Sequence, residues 1–357
     1  MIWVKNLNQA GSGLYMRRIA TNQVIRFNRS GFTLVELMIV ISILLFLVAT
    51  SAFVVRNIGN KAREKATMAT IVKVNGMVQD RIEAMRKALD SSKNQSQIQS
   101  LVGQKYASLV NNYGAKYRSI PKPVVEILVR KDIFRQNLPQ YIEENSQVNG
   151  EMGAAAGVLG ADAGASISSE YLYYILTNHE TYGLPPVGED SFSTSEVADT
   201  DGDGLMEFVD GWGRPLRFYR WPTRLIKPDG STIRRDIAGA FFNGLPPASA
   251  AGFNEQDPLE IDADDPLSRI QHENERSGDL LTPLFNSNLD AQYLTGQYGV
   301  MNTFWMPLIV SAGEDGILGL QEPHDKTNTG VLAQPVIPVA EGIFDNITNH
   351  NQRAGGR

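Results

Sequence analysis

Gly31-Phe32-Thr33-Leu34-Val35-Glu36-Leu37-Met38 opens an apolar run that continues to Val55, and from Phe32 to Val55 the one charged residue is Glu36. At about 1.5 Å of rise per residue, a helix over this stretch covers a bilayer core roughly 30 Å thick. Helices buried in soluble cores are usually shorter and keep a polar face, whereas Ile39 to Val48 is apolar almost all round. The run therefore reads as a membrane span over 32–55, in contact with the lipid bilayer. A carboxylate inside such a segment costs roughly 2.5–3.5 kcal/mol on insertion, so Glu36 needs a cation unless it snorkels to the nearby interface. Gly31 is a small residue between a basic leader and the apolar run, where a peptidase could cut. Phe32 would then be a new amino terminus one helical turn from Glu36.

Arg29-Ser30-Gly31-Phe32-Thr33-Leu34-Val35-Glu36 resembles the signature of type IV pilins and of the pseudopilins of type II secretion. The resemblance implies that a prepilin peptidase cuts after Gly31 and methylates the amine of Phe32. It also implies that Glu36 neutralises that amine on a neighbouring copy during filament assembly. Two charges that are each unfavourable in lipid become tolerable as a pair, so the pairing both draws a subunit in and sets its axial register. The chain would then be a single-pass protein of the inner membrane, with its leader cytoplasmic and its head in the periplasm or outside the cell. Charge alone says little about orientation, because Arg56, Lys61, Arg63 and Lys65 flank the far end of the span as well. Pilins often carry a proline in the apolar segment where the helix loosens in the filament; none lies between Phe32 and Val55, and that behaviour is not carried over.

The chain has 357 residues, 42% hydrophobic and 20% charged, which is enough for a membrane helix and one or two globular units. It contains no cysteine, so stability outside the cytoplasm rests on packing or metal. The leader holds Lys5, Arg17, Arg18, Arg26 and Arg29 and no acid; losing these five cations takes the formal charge from −6 to −11. An acidic mature chain argues against nucleic acid as a partner. The four histidines, His179, His272, His324 and His350, show no paired metal-ligand spacing, and neither a nucleophile elbow nor a phosphate loop is present, so the chain reads as a non-enzyme. The pairs Glu143-Glu144 and Asp264-Asp265 read as solvated acids.

Beyond the span, Ile71, Val74, Val78, Ile82, Met85 and Leu89 recur every three or four residues, which predicts one long helix over 32–90, roughly 87 Å in length and amphipathic in its second half. Gly59 and Gly76 weaken it by about 1 kcal/mol each relative to alanine. Polar Ser91 to Ser100 reads as a break, followed by helices from Ile98 to Tyr117 and from Val124 to Asn145 on either side of Pro121-Lys122-Pro123. Gly150 to Ser168 reads as a glycine- and alanine-rich linker, so 91–168 is a helical insertion ending in a linker. Ser169-Glu170 opens a short tyrosine-rich helix that packs in the core and stops at Gly183-Leu184-Pro185-Pro186. Leu216 to Trp221 and Phe304 to Val310 are the strand candidates of a head over 169–325, with a variable loop insertion over 222–299. The tail, 326–357, reads as irregular and ends disordered at Asn349 to Arg357.

Asp199-Thr200-Asp201-Gly202-Asp203-Gly204-Leu205-Met206-Glu207-Phe208-Val209-Asp210 places Asp199, Asp201, Asp203, Glu207 and Asp210 at positions 1, 3, 5, 9 and 12, with a backbone carbonyl expected from Leu205 and a glycine at position 6 for the sharp turn. This is a calcium-loop spacing; its bland alternative is an acidic solvated turn. Aspartate at position 12 is shorter than the usual bidentate glutamate, and helices are not evident on both flanks, as in isolated calcium loops of extracellular modules.

Asp210-Gly211-Trp212-Gly213-Arg214-Pro215-Leu216 resembles the Asp-Pro-Trp-Gly-Asn-Pro-Tyr stretch that starts the sheet of major pseudopilins. Ser311-Ala312-Gly313-Glu314-Asp315-Gly316 resembles the calcium loop that ends it, with Asp315 as a ligand, although the paired aspartates that normally follow are absent and Glu322 and Asp325 are the nearest acids.

The expectation is an α+β protein in which a long N-terminal membrane-spanning helix packs on a small antiparallel sheet, with extra helices and long loop insertions. Its function would be that of a structural subunit of a type II secretion pseudopilus, closest to the major pseudopilin. Its partners would be the prepilin peptidase, further copies of itself, minor pseudopilins and an inner-membrane assembly platform. A type IV pilus or DNA-uptake pilin, and a monomeric membrane-tethered calcium-dependent binding protein, are the competing readings.

Overall fold

The structure is a computed structural model that describes residues 33–115, 118, 120–141, 144–156, 164, 166–222, 263–265, 306–325, 333, 335–336, 342–343 and 345–350. Gly31 and Phe32 lie outside the described residues, as do Phe304, Trp305 and nearly all of the expected insertion over 222–299. The chain divides into two units, 1–55 and 56–357. Among the described residues it is an α+β protein with a long N-terminal apolar helix, further helices and small antiparallel sheets.

Helix α1 runs from Leu34 to Asp90 without interruption at Gly59 or Gly76. Within the first unit every residue from Thr33 to Ser51 is exposed, including the large apolar side chains Leu34 to Val48. Its polar atoms are turned inward on the helix itself: the Ser42 hydroxyl donates to the Met38 carbonyl at 2.8 Å and the Thr50 hydroxyl to that of Phe46 at 3.0 Å. A segment that satisfies its own polar groups and leaves its apolar ones uncovered suits a hydrocarbon solvent.

In the second unit the predicted stripe of α1 is the wall of the core. Ile71, Val74, Val78, Ile82, Met85 and Leu89 are all buried. The break after α1 is short, a single 3-10 turn at Ser92–Asn94, and α2 (Gln95–Tyr113) begins earlier than its apolar pattern suggests. Helix α3 (Lys122–Asn137) starts on Pro121 as its cap, with Pro123 inside the first turn where no backbone donor is missed. It stops at Leu138 and not at Asn145, because Pro139 restricts the residue before it. Asn145 instead caps a new helix, α4 (Ser146–Ala156), its Oδ1 accepting the backbone N–H groups of Gln147 and Val148 at 3.1 Å. The first part of the expected linker is therefore helical. Helix α5 (Ile167–Asn178) buries Tyr171, Leu172, Ile175 and Leu176 in the core, as its tyrosine-rich pattern predicts.

Strands β1 (Val197–Ala198) and β2 (Glu207–Phe208) form an antiparallel ribbon in the register Val197 with Phe208 and Ala198 with Glu207. Strands β3 (Arg217–Tyr219), β4 (Leu308–Ser311) and β5 (Ile347–Thr348) form a second antiparallel sheet with β4 central. The tail read as irregular thus supplies an edge strand. Asn349, expected to be disordered, is tied on three sides: its Nδ2 donates to Asn75 Oδ1 at 2.8 Å and to the Pro307 carbonyl at 2.9 Å, and its Oδ1 accepts the Ile309 N–H at 2.8 Å.

Two buried cations hold these elements together. Arg81 on α1 donates to the Leu176 carbonyl at 2.9 Å, the His179 carbonyl at 2.8 Å and the Thr181 hydroxyl, capping the carbonyl end of α5. Arg220 pairs with both carboxylate oxygens of Glu144, and each side chain is 1% exposed. Glu144 is therefore not a solvated acid, and neither is Asp265, which is fully buried.

Candidate metal centre and N-terminal motif

Asp199 to Met206 is the connection of the β1–β2 ribbon, flanked by strands and not by helices, and Glu207 to Asp210 continue through β2 and past it. Gly202 (φ 83°) and Gly204 (φ 93°) take the left-handed conformation that the sharp turn requires. The carboxylates are then fixed by backbone donors. Asp199 Oδ1 accepts the Gly202 N–H at 2.7 Å and its Oδ2 that of Gly204 at 3.1 Å, while Asp203 Oδ1 accepts the Leu205 N–H at 2.7 Å. Glu207 lies in β2, fully buried, and its two oxygens accept the backbone N–H and the hydroxyl of Thr200.

This folding gathers acids into two trios that share Asp201. One carboxylate oxygen from each of Asp199, Asp201 and Glu207 lies within 4.8 Å of the others, and the same holds for Glu170, Asp201 and Asp203. Glu170 stands in the first turn of α5 and is not among the residues the loop spacing picks out. It is 2% exposed, and its Oε1 has no hydrogen-bond partner. Burial pushes its carboxyl up to about 8, and the charges of Asp203, Asp201 and Glu207 push the same way against a Ser166 hydrogen bond. Burial likewise raises Glu207 to about 7, with Asp201 adding to it and the Thr200 bonds opposing. Leu205 is buried beside them.

Asp210 stands apart from both trios. Its Oδ1 accepts the N–H groups of Trp212 at 2.8 Å and Arg214 at 3.0 Å, and its Oδ2 accepts the Ser311 hydroxyl at 2.7 Å. The position-12 residue is thus the hub of a turn that binds the start of β3 to the end of β4. Arg214 extends the same junction, donating to the Gly313 carbonyl at 2.8 Å. Asp315, the other expected ligand, caps its own turn by accepting the Ile317 N–H at 2.7 Å, and it is in neither trio. Asp345 Oδ2 accepts the Asp315 N–H at 3.3 Å, while Glu322 makes a two-pronged pair with Arg217 at 2.9 and 3.0 Å.

At the other end of the chain, Glu36 has local partners that its reading as an isolated acid does not foresee. Its Oε2 accepts the Thr33 N–H at 2.9 Å and the Thr33 hydroxyl at 3.0 Å, while Thr33 Oγ1 accepts the Glu36 N–H at 3.2 Å. This is a capping box, legible in the sequence as threonine followed three residues later by glutamate.

Residues 26–52 match the family model of the prokaryotic N-terminal methylation motif, a type IV pilin-like prepilin signal. The match covers the end of the basic leader, Gly31, Phe32, the capping box and most of the apolar run. No curated protein and no solved structure matches the chain.

Proposed function

We propose that the chain is a structural subunit of a type II secretion pseudopilus, cut after Gly31 by a prepilin peptidase that methylates Phe32, and assembled through its apolar helix with other copies, minor pseudopilins and an inner-membrane platform. The observation that carries the reading is the methylation motif running straight into a helix whose side chains from Leu34 to Val48 are all exposed. The choice of pseudopilus over pilus is supported by the junction of Asp210-Gly211-Trp212-Gly213-Arg214 with Ser311-Ala312-Gly313, the two stretches that resemble the start and end of the pseudopilin sheet. The span anchors the chain in the inner membrane and the head lies on the periplasmic side. Calcium, held by Asp199, Asp201, Asp203, Glu207 and the Leu205 carbonyl, stabilises the head.

Glu36 gives the sharpest test, because the capping box separates two roles. Glutamine serves a capping box as well as glutamate but carries no charge. Glu36→Gln keeps the helix start and removes the partner of the Phe32 amine, whereas Glu36→Ala removes both. Each variant is expected to insert in the membrane and to be absent from sheared filaments, while wild-type filaments yield chains that begin at a methylated Phe32. Filaments that incorporate Glu36→Gln as well as wild type would overturn the charge-pairing mechanism and leave Glu36 a helix cap. Mature chains that retain residue 31 would overturn the processing.

A further inference from the structure

The divalent-cation reading of the Asp199 to Glu207 loop, on which this inference rests, leaves the twelfth position unfilled, since Asp210 is in neither trio and its side chain binds the turn and β4. We propose that Glu170, from the first turn of α5, is the ligand that completes the site with Asp201 and Asp203, so that a bound calcium ion clamps the helix to the ribbon. Three observations carry this.

Glu170 is held where a ligand is needed by bonds that have nothing to do with a cation. The neighbouring Ser169 hydroxyl donates to the Phe208 carbonyl at 3.1 Å and accepts the Phe208 N–H at 3.0 Å, and Ser168 Oγ accepts the Phe218 N–H at 3.1 Å. These stitches fix the first turn of α5 onto β2 and β3. Ser166, just before the helix, donates its hydroxyl to Asp201 Oδ2 at 2.8 Å and ties that turn to the loop directly.

Glu170 is also sealed from water at 2% exposure, with Oε1 unpartnered and a carboxylate oxygen within 4.8 Å of those of Asp201 and Asp203. A buried carboxyl oxygen with no hydrogen-bond partner is costly to keep. A hard cation that takes six to eight oxygens at about 2.3–2.6 Å, and so bridges oxygens up to roughly twice that distance apart, supplies what the protein does not.

Finally, the shorter aspartate at position 12 no longer needs explaining as a weak ligand. Calcium loops draw their last bidentate oxygens from a glutamate, and here the glutamate comes from another element. Asp210 is free to bind the sheet because Glu170 has taken its place.

The test is calcium titration of the full-length protein in detergent, by calorimetry and by thermal melting, on wild type, Glu170→Gln, Asp201→Asn and Asp210→Asn. Loss of a ligand is expected to weaken calcium binding by at least about tenfold in Glu170→Gln and Asp201→Asn, with Asp210→Asn within about twofold of wild type. Glu170→Gln binding calcium like wild type, or Asp210→Asn weakened as much as Asp201→Asn, would overturn the Glu170 assignment while leaving the loop a calcium site. A wild-type protein that neither binds calcium nor melts higher in its presence would overturn the loop reading itself. Hydrogen exchange on wild type needs no variant to fold: calcium is expected to slow exchange at 167–171 and 199–207 together. Slowing confined to 199–207 would reject the clamp.

Discussion

Glu144 and Arg220 show how far a single residue's role can depend on a partner remote in sequence. The two are 76 positions apart, their charges are removed from water together, and Arg220 also lies over the Trp221 ring at 4.6 Å. Breaking one side of such a pair leaves the other charge buried and unmatched, so Glu144→Gln is expected to cost about 3–5 kcal/mol, read as a drop in the melting midpoint. Next to Glu143, Glu144 looks like a surface acid, because adjacency carries no information about which cation the fold will bring. His350 is buried in the same way, its Nε2 donating to the Pro307 carbonyl at 3.0 Å. Burial pushes its imidazole from the ordinary 6.5 down to about 4. The unfolded chain therefore takes up a proton that the folded one refuses between those values. The neutral ring's contribution is complete above pH 6.5 and is lost as pH falls towards 4, a penalty of about 3 kcal/mol. Melting curves of wild type and His350→Gln over that range are expected to converge in slope only above pH 6.5, with the variant flatter below it.

Among the elements, helices are most legible where an apolar stripe repeats and least where capping decides. The Ile71 to Leu89 stripe of α1 announces its buried face residue by residue. Helix α4 does not, because Gly150, Gly153 and Ala154 to Ala156 have a linker's composition, and what starts the helix is the Asn145 cap. The contact between α1 and the turn after β2 is invisible in the sequence for another reason. Gly211 donates its N–H to Thr67 Oγ1 at 2.8 Å, and a Cβ there would run into the Arg63 backbone. This chain therefore needs the smallest residue at that position. Gly211→Ala is expected to destabilise the protein by about 1–3 kcal/mol. Gly59→Ala and Gly76→Ala, in the same helix with open space around them, should instead raise stability by up to about 1 kcal/mol each. Melting of the three variants side by side checks the contrast.

For the molecule as a whole, the acids of a loop are readable because they are contiguous, whereas Glu170 and Asp345 escape a reading of the sequence because the fold brings them from other segments. The same separation governs the three-stranded sheet. Tyr219 pairs with Leu308 and Val310 with Thr348, so each strand is recruited across a long intervening stretch. The helices α2 and α3, by contrast, are neighbours in sequence as well as in space. Closing large loops costs entropy before any ladder bond forms, and non-local pairing slows folding. Refolding after denaturant dilution should accordingly be staggered: helical circular dichroism returns first, and near-ultraviolet circular dichroism, which reports the packing of buried aromatics such as Tyr219 and Trp221, lags behind it. The late step makes the unpaired β4 backbone an attractive edge in the meantime, so the cell has to shelter that strand until its two distant neighbours arrive.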